Sequence, residues 1–205
     1  MTFSLARLSA AIAVVFALVA PLATARAADD PAIATVQSFY ATLLESMKSG
    51  HALGAQGRYA KLRPAIELTF DTTTMVKYAV GPAWETTSPS DQRALNDAFA
   101  RMTAAQYAGN FDDFNGEKFV VDPAVTVRGT DHYVSSKLVA KDQTVVFIYR
   151  LRQFGANWKI IDILLDGSIS QISVYRSDYS ATIKAGGAAA LIKKIDEVAS
   201  KALRG

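Results

Sequence analysis

Hydrophobic and polar positions along this 205-residue chain fall into two regimes, which change over near residue 118. Before it, apolar residues recur at steps of three and four, the spacing of helices with one buried face. After it, alternation by two takes over, and helical spacing returns only near the end. The stretch Trp158–Tyr179, WKIIDILLDGSISQISVYRSDY, contains the second changeover. Its first half, Ile160–Leu165, reads as a strand apolar on both faces apart from Asp162, and needs cover on both sides. Its second half, with Ile169, Ile172, Tyr175 and Tyr179, reads as an amphipathic helix folding back after a turn at Asp166-Gly167.

Asp30-Pro31 supplies an N-cap and a proline at the first helical position. Ile33, Val36, Tyr40, Leu43, Leu44 and Met47 continue that helix, and Gly50 closes it. A loop is expected at His51–Gly57, then a helical piece with Tyr59, Leu62, Ile66 and Phe70, kinked or restarted at Pro64. Asp71 caps a helix over Thr72–Val80, ended by Gly81-Pro82. Ser88-Pro89-Ser90-Asp91 is a capping box for a helix with Leu95, Ala98, Phe99, Met102 and Ala105 on one face, running to about Gly109.

Strands are expected over Lys118–Val121, Ala124–Arg128, Tyr133–Ala140, Thr144–Arg152 and Trp158–Leu165, with short hairpin turns between the last three. Val145, Phe147, Tyr149 and Leu151 share one face of their strand; Val146 and Ile148 share the other with Arg150 and Arg152. Both faces carry apolar residues, so periodicity leaves the inward one open. Gly186-Gly187 breaks the helical pattern before a last helix over Ala188–Leu203. Helices, then a bent antiparallel meander, then two helices is an α+β single domain.

Composition narrows the setting. Arg7, the apolar run Leu8–Ala20 and Ala25-Arg26-Ala27 form a secretory signal peptide over residues 1–27, leaving one domain over 28–205. The run is too short for a membrane-spanning helix, which needs ~20 apolar residues. With no cysteine, disulfides play no part, and stability rests on the apolar core. The formal net charge is +3, and removing Arg7 and Arg26 brings it closer to zero. No block of five or more like charges occurs, which argues against a nucleic-acid partner.

Chemical signals are few. There is no Gly-x-Ser-x-Gly elbow, His-Glu-x-x-His motif or phosphate-binding glycine loop. His51 and His132 stand alone, without a second ligand at metal-binding spacing, and are expected at the surface. Asp162 is the one acid inside an apolar run. It either has a perturbed pKa suited to catalysis or forms an ion pair with Arg150, Arg152 or Arg176. Arg176 is also suited to a polar head group. The aromatic and methionine content, from Met75, Trp84, Phe99 and Met102 to Tyr107, Phe111, Phe147, Tyr149 and Tyr175, suits either ordinary packing or an apolar ligand.

At this point a family resemblance enters. Asp71…Met75…Val80-Gly81…Trp84, Ser88-Pro89-x-x-Gln92-Arg93 and Tyr107-Ala108…Phe111 with Gly116-Glu117 resemble the MlaC or toluene-tolerance family. Tyr149-Arg150-Leu151-Arg152…Trp158-Lys159-Ile160-Ile161-Asp162, Tyr175–Tyr179 and Gly186-Gly187…Ala190-Leu191-Ile192 extend the resemblance over roughly residues 58–195. The wording Asp166-Gly167-Ser168-Ile169-Ser170 and Arg176-Ser177-Asp178 is most similar to the hopanoid-associated HpnM subgroup. The family implies a cystatin-like or NTF2-like bent sheet wrapped by helices, with acyl chains held between them. It also implies a periplasmic shuttle for phospholipid or hopanoid, with the lipid as cargo and no cofactor or metal. Its implied partners are an inner-membrane ABC transporter complex, an outer-membrane lipoprotein and transient membrane contact. On that resemblance the lipid-facing set is Met75, Val76, Val80, Trp84, Phe99, Met102, Tyr107, Phe111, Val145, Phe147, Tyr149, Leu151, Ile163, Leu165, Ile169, Ile172 and Tyr175, with Asp162, Arg150 and Arg176 as a structural ion pair. The rival readings are an enzyme using Asp162 and a tyrosine on an apolar substrate, and a scaffold with a filled interior.

Overall fold

A computed structural model describes residues 30–204; the signal peptide expected over residues 1–27 lies outside them. Helices come first: α1 Pro31–Lys48, α2 Gly50–Thr69, α3 Thr72–Val80 and α4 Pro89–Asn110. The sheet follows as β1 Lys118–Arg128, β2 Asp131–Val139, β3 Thr144–Phe154, β4 Asn157–Leu165 and β5 Ile169–Ser170, and α5 Gln171–Ala202 ends the chain. The helix starts are capped as their sequences require. Asp30 accepts the Ala32 N–H at 2.9 Å, Asp71 accepts that of Thr74 at 3.0 Å, and Ser88 accepts that of Asp91 at 3.1 Å.

Three local expectations are corrected. His51–Gly57 is helical and belongs to α2, with non-helical backbone only at Gly54 (φ 61°). Tertiary contacts hold this glycine-rich turn in place. Buried Arg58 donates from Nη1 to the Gly50 carbonyl at 2.9 Å and from Nε to that of Ala108 at 2.7 Å. The two strands expected around residues 118–128 are one strand, β1, bulged between Val121 and Val125. Pro123 lies in that gap and cannot donate a ladder hydrogen bond, so the irregularity falls there. Ile169 lies in β5 rather than in the following helix, whose N-cap is Ser170. The expected break appears inside α5 at Gly187 (φ 64°, ψ −162°).

The five strands pair antiparallel in the order β1-β2-β3-β4-β5. Register decides which face is inner. Val134, Tyr149 and Ile163 stand opposite one another on β2, β3 and β4, and all three are buried. The other face carries Arg128, Asp131, Arg152 and Lys159 in one row. On the inner face Tyr40 of α1 bonds to Ser136 at 2.7 Å and stacks on Phe119 at 4.3 Å. Phe39, fully buried, meets Phe70 edge-on at 5.1 Å and Tyr107 at 4.9 Å. Each such ring contributes roughly 1.5–3 kcal/mol by leaving water. Helices α4 and α5 meet backbone to backbone, since a Cβ on Gly109 would lie 2.4 Å from the Ala202 carbonyl oxygen.

Candidate functional site

Between the inner face of the sheet and helices α3, α4 and α5 lies a cavity of about 130 Å³. Its walls are Met75 from α3; Thr103, Gln106, Tyr107 and Asn110 from α4; Phe111; Phe147 from β3; Ile163 and Leu165 from β4; and Gln171 and Tyr175 from α5. The strands contribute alternate residues because one face of a pleated strand repeats every two positions. Helix α4 contributes 103, 106, 107 and 110, a helical stripe at steps of three and four.

Aromatic contacts set the shape of the walls. Tyr107 stacks on Phe111 at 5.6 Å, and Tyr175 meets Phe99 edge-on at 5.5 Å and Tyr179 face to face at 5.5 Å. The Tyr175 hydroxyl donates to Gln106 Oε1 at 2.8 Å, which ties α5 to α4. Burial raises the Tyr175 phenol above its ordinary pKa, against the opposing effect of that hydrogen bond. Burial pushes Tyr107 and Tyr149 up further. These phenols are neutral at any physiological pH, and none of the lining side chains is charged. The cavity is suited to hold an uncharged, apolar object; its walls contain no acid–base pair.

Seven of the expected lipid-facing residues line this cavity: Met75, Tyr107, Phe111, Phe147, Ile163, Leu165 and Tyr175. Val76, Val80, Trp84, Phe99, Met102, Tyr149, Leu151 and Ile172 are buried in the closed core instead. Val145 is half-buried opposite Leu138, and Ile169 is 50% exposed on β5. The polar members Thr103, Gln106, Asn110 and Gln171 were absent from the expected set. The signal for three of them was the α4 stripe itself, which an apolar-only reading passes over.

The expected ion pair does not form. Arg150 and Asp162 are cross-strand partners, yet each is committed elsewhere. Asp162 accepts the Ser170 hydroxyl at 2.6 Å and the backbone N–H groups of Ile163 at 2.8 Å and Ile172 at 3.2 Å. It joins β4 to the start of α5. Arg150 instead donates to Asp131 at 2.7 Å, and Arg152 grips the same carboxylate at 2.6 and 2.9 Å. Burial raises the pKa of Asp131, but the two guanidinium groups outweigh it and hold the group below its ordinary value. Arg176 donates to the Tyr78 carbonyl at 2.8 Å. The acid that an enzymatic reading requires is therefore spent on a helix start, outside the cavity lining.

The histidines also differ from expectation in part. His51 is exposed beside Asp113 at 3.3 Å, whereas His132 is half-buried, 2.9 Å from Asp30 and with its ring 4.0 Å from that of Trp158. Among the described residues no group of three or more His, Cys, Asp or Glu side chains is placed to hold a metal ion.

One further motif residue, Gln92, is structural. Gln92 donates to the Trp84 carbonyl at 2.9 Å and to that of Thr87 at 3.2 Å, fixing the turn before α4.

Residues 37–197 match the family described as MlaC protein. Among solved structures, the phospholipid-binding protein from Ralstonia solanacearum, in complex with a phospholipid, superposes with a TM-score of 0.73 at 22% sequence identity. The match covers 83% of this chain and 98% of that one. At that identity the likeness establishes a shared fold. No curated protein matches the chain at a significant level.

Proposed function

The chain belongs to the MlaC family, and from that premise we propose that it is a lipid-binding shuttle of the periplasm, carrying phospholipid or hopanoid between inner and outer membranes. In this reading it is the soluble component of an ABC-type lipid transport system. It meets an inner-membrane transporter complex and an outer-membrane lipoprotein, and touches membranes only transiently. Lipid is its cargo; no cofactor takes part.

The observation that carries the reading is the cavity between sheet and helices, walled mainly by aromatic and aliphatic side chains and free of charge. A 16-carbon chain in water costs on the order of 12 kcal/mol at ~0.8 kcal/mol per methylene. A carrier must replace nearly all of the bilayer's apolar surroundings to offset that. Pockets that enclose whole ligands measure about 300–1,000 Å³, so a cavity of about 130 Å³ takes a full chain only as its walls part. Met75, unbranched and polarizable, is a wall residue suited to that change. The Ralstonia protein's phospholipid complex on the same fold supports phospholipid as cargo, and the resemblance to the HpnM subgroup supports hopanoid. None of the wording that carries the second resemblance lines the cavity; it forms the β4–β5 turn, β5 and the exposed side of α5.

Native mass spectrometry of protein purified from its cells, with organic extraction of whatever it holds, tests the reading. The expected result is one lipid bound per chain, identified by its fragments. Folded protein that carries no lipid, and takes none up from vesicles, would overturn it.

A further inference from the structure

The outer face of the sheet is a feature that the cavity leaves unused. Arg128, Asp131, Arg152 and Lys159 cross it in one row, and Thr126, Tyr133, Arg150 and Asp162 in the next. Lys137, opposite Val120, and Lys118, opposite Val139, continue the same face toward its far end. Six cations therefore share one face. Its two central carboxylates are buried and committed, Asp131 to the two arginines and Asp162 to Ser170 and the start of α5. Asp122, at the β1 bulge, accepts its own chain's Ala124 N–H at 2.8 Å.

Among the described residues, helical groups reach this face at the β3–β4 side, where the Tyr78 hydroxyl meets Arg152 and the Glu67 carbonyl meets Lys159. Over β1 and β2 it is open. Lys118, Arg128 and Lys137 are exposed there and have no carboxylate within ion-pair distance among the described residues. Val120 is 52% exposed between the two lysines, and Val146, Ile148 and Leu164 are half-buried beside them.

We propose that this face docks on an anionic, phosphate-bearing lipid bilayer. From Lys118 to Arg128 the strand runs roughly 30 Å at ~3.3 Å per residue, so the cations are spread out rather than gathered around one ligand. A plane of many phosphates matches such a spread, and each surface cation adds to the attraction. The short apolar residues between them fit the headgroup boundary without deep insertion. A protein interface is usually centred on aromatic anchors, whereas Tyr133, the ring within this span, lies under Arg128 at 4.9 Å. The face adds a membrane-contact surface to the carrier reading and is tested apart from it.

The test is co-sedimentation of the mature protein with vesicles of phosphatidylcholine alone or mixed with phosphatidylglycerol, at low and high salt. Binding is expected to the anionic vesicles at low salt and to weaken as salt screens the charges. The triple variant Lys118→Glu, Arg128→Glu, Lys137→Glu should bind on the order of 100-fold more weakly, with its melting temperature unchanged. A control variant with Lys184→Glu, Lys193→Glu and Lys201→Glu on exposed positions of α5 should bind as the parent does. Equal binding to neutral vesicles, no binding at low salt, or an unaffected triple variant would overturn the docking face. An acidic protein as the true partner would give the second of these outcomes. Protein that copurifies with lipid yet ignores anionic vesicles leaves the carrier reading standing and removes this one; vesicle binding by protein that takes up no lipid does the reverse.

Discussion

Phe39 and Phe147 both face the helical side of the same sheet, and their surroundings could hardly differ more. Phe39 is fully buried, gripped by two rings at 5.1 and 4.9 Å. Phe147 is half-buried, with its nearest stacked ring, Tyr149, centred 6.3 Å away and open space in front of it. One region is a closed core and the other a cavity wall, built from the same residue types. Residue type therefore reports that a side chain leaves water. What it leaves water for depends on whether a facing residue arrives, and that is a property of the partner element.

The largest effect should come from the closed region. Phe39→Ala is expected to cost about 3–5 kcal/mol, through lost burial and a residual void, measured by chemical denaturation. A loss under about 1 kcal/mol would mean that the core is as loose as the cavity, and the contrast would fail.

Titration reports on the buried rings next. Burial pushes the Tyr40 phenol up to about 12, and Tyr107, Tyr149 and Tyr179 are raised as well. Each keeps its proton longer when folded than when unfolded. Its contribution is thus complete below the unfolded pKa of about 10 and is lost as pH rises through the folded value. Stability should fall from about pH 10 upward, by on the order of 3 kcal/mol for Tyr40 alone. Tyr40→Phe should flatten the alkaline limb of a stability–pH curve; an unchanged slope would place that ring in contact with water.

In the cavity wall, Phe147→Trp should cut the fraction of lipid-loaded protein several-fold while changing stability by less than about 1.5 kcal/mol. Val145→Trp, two residues away but outside the cavity, should leave loading unchanged. Equal effects from the two would show the cavity to extend past Phe147. The smallest effect belongs to Tyr175→Phe. It removes the 2.8 Å bond to Gln106 and should cost about 1 kcal/mol or less in thermal stability.

Much of the fold was legible because local signals agreed with tertiary ones. Asp30, Asp71 and Ser88 cap the helices they precede, Gly187 interrupts α5, and period two marks the strands. The segment His51–Gly57 misled because its glycines argue for a loop, while the Arg58 guanidinium bridges the Gly50 carbonyl at the start of α2 to the distant Ala108 carbonyl of α4 and holds the segment helical. The sheet's inner face was unreadable from alternation, since Ile148 and Phe147 are equally apolar. Charge decides it: Arg150 and Arg152 alternate with Tyr149 and Leu151 and turn outward to Asp131. That acid opens β2, far along the chain from the arginines, and no local spacing links them. Asp162 drew the pairing expectation because its bonds to Ser170 and Ile172 cross a turn whose shape depends on Asp166 at φ 48°. The cavity was half legible. Periodicity selects its walls, but empty volume leaves no trace in a list of side chains.

Asp162 has one more consequence, a mechanical one. It pins the start of α5 to β4, while Gly187 articulates the helix fifteen residues beyond Ile172. At ~1.5 Å per residue the segment is a lever roughly 22 Å long, with its fulcrum at the cavity end. Any swing about that fulcrum moves Tyr175 least, since it sits one turn away, and moves the stretch before Gly187 most.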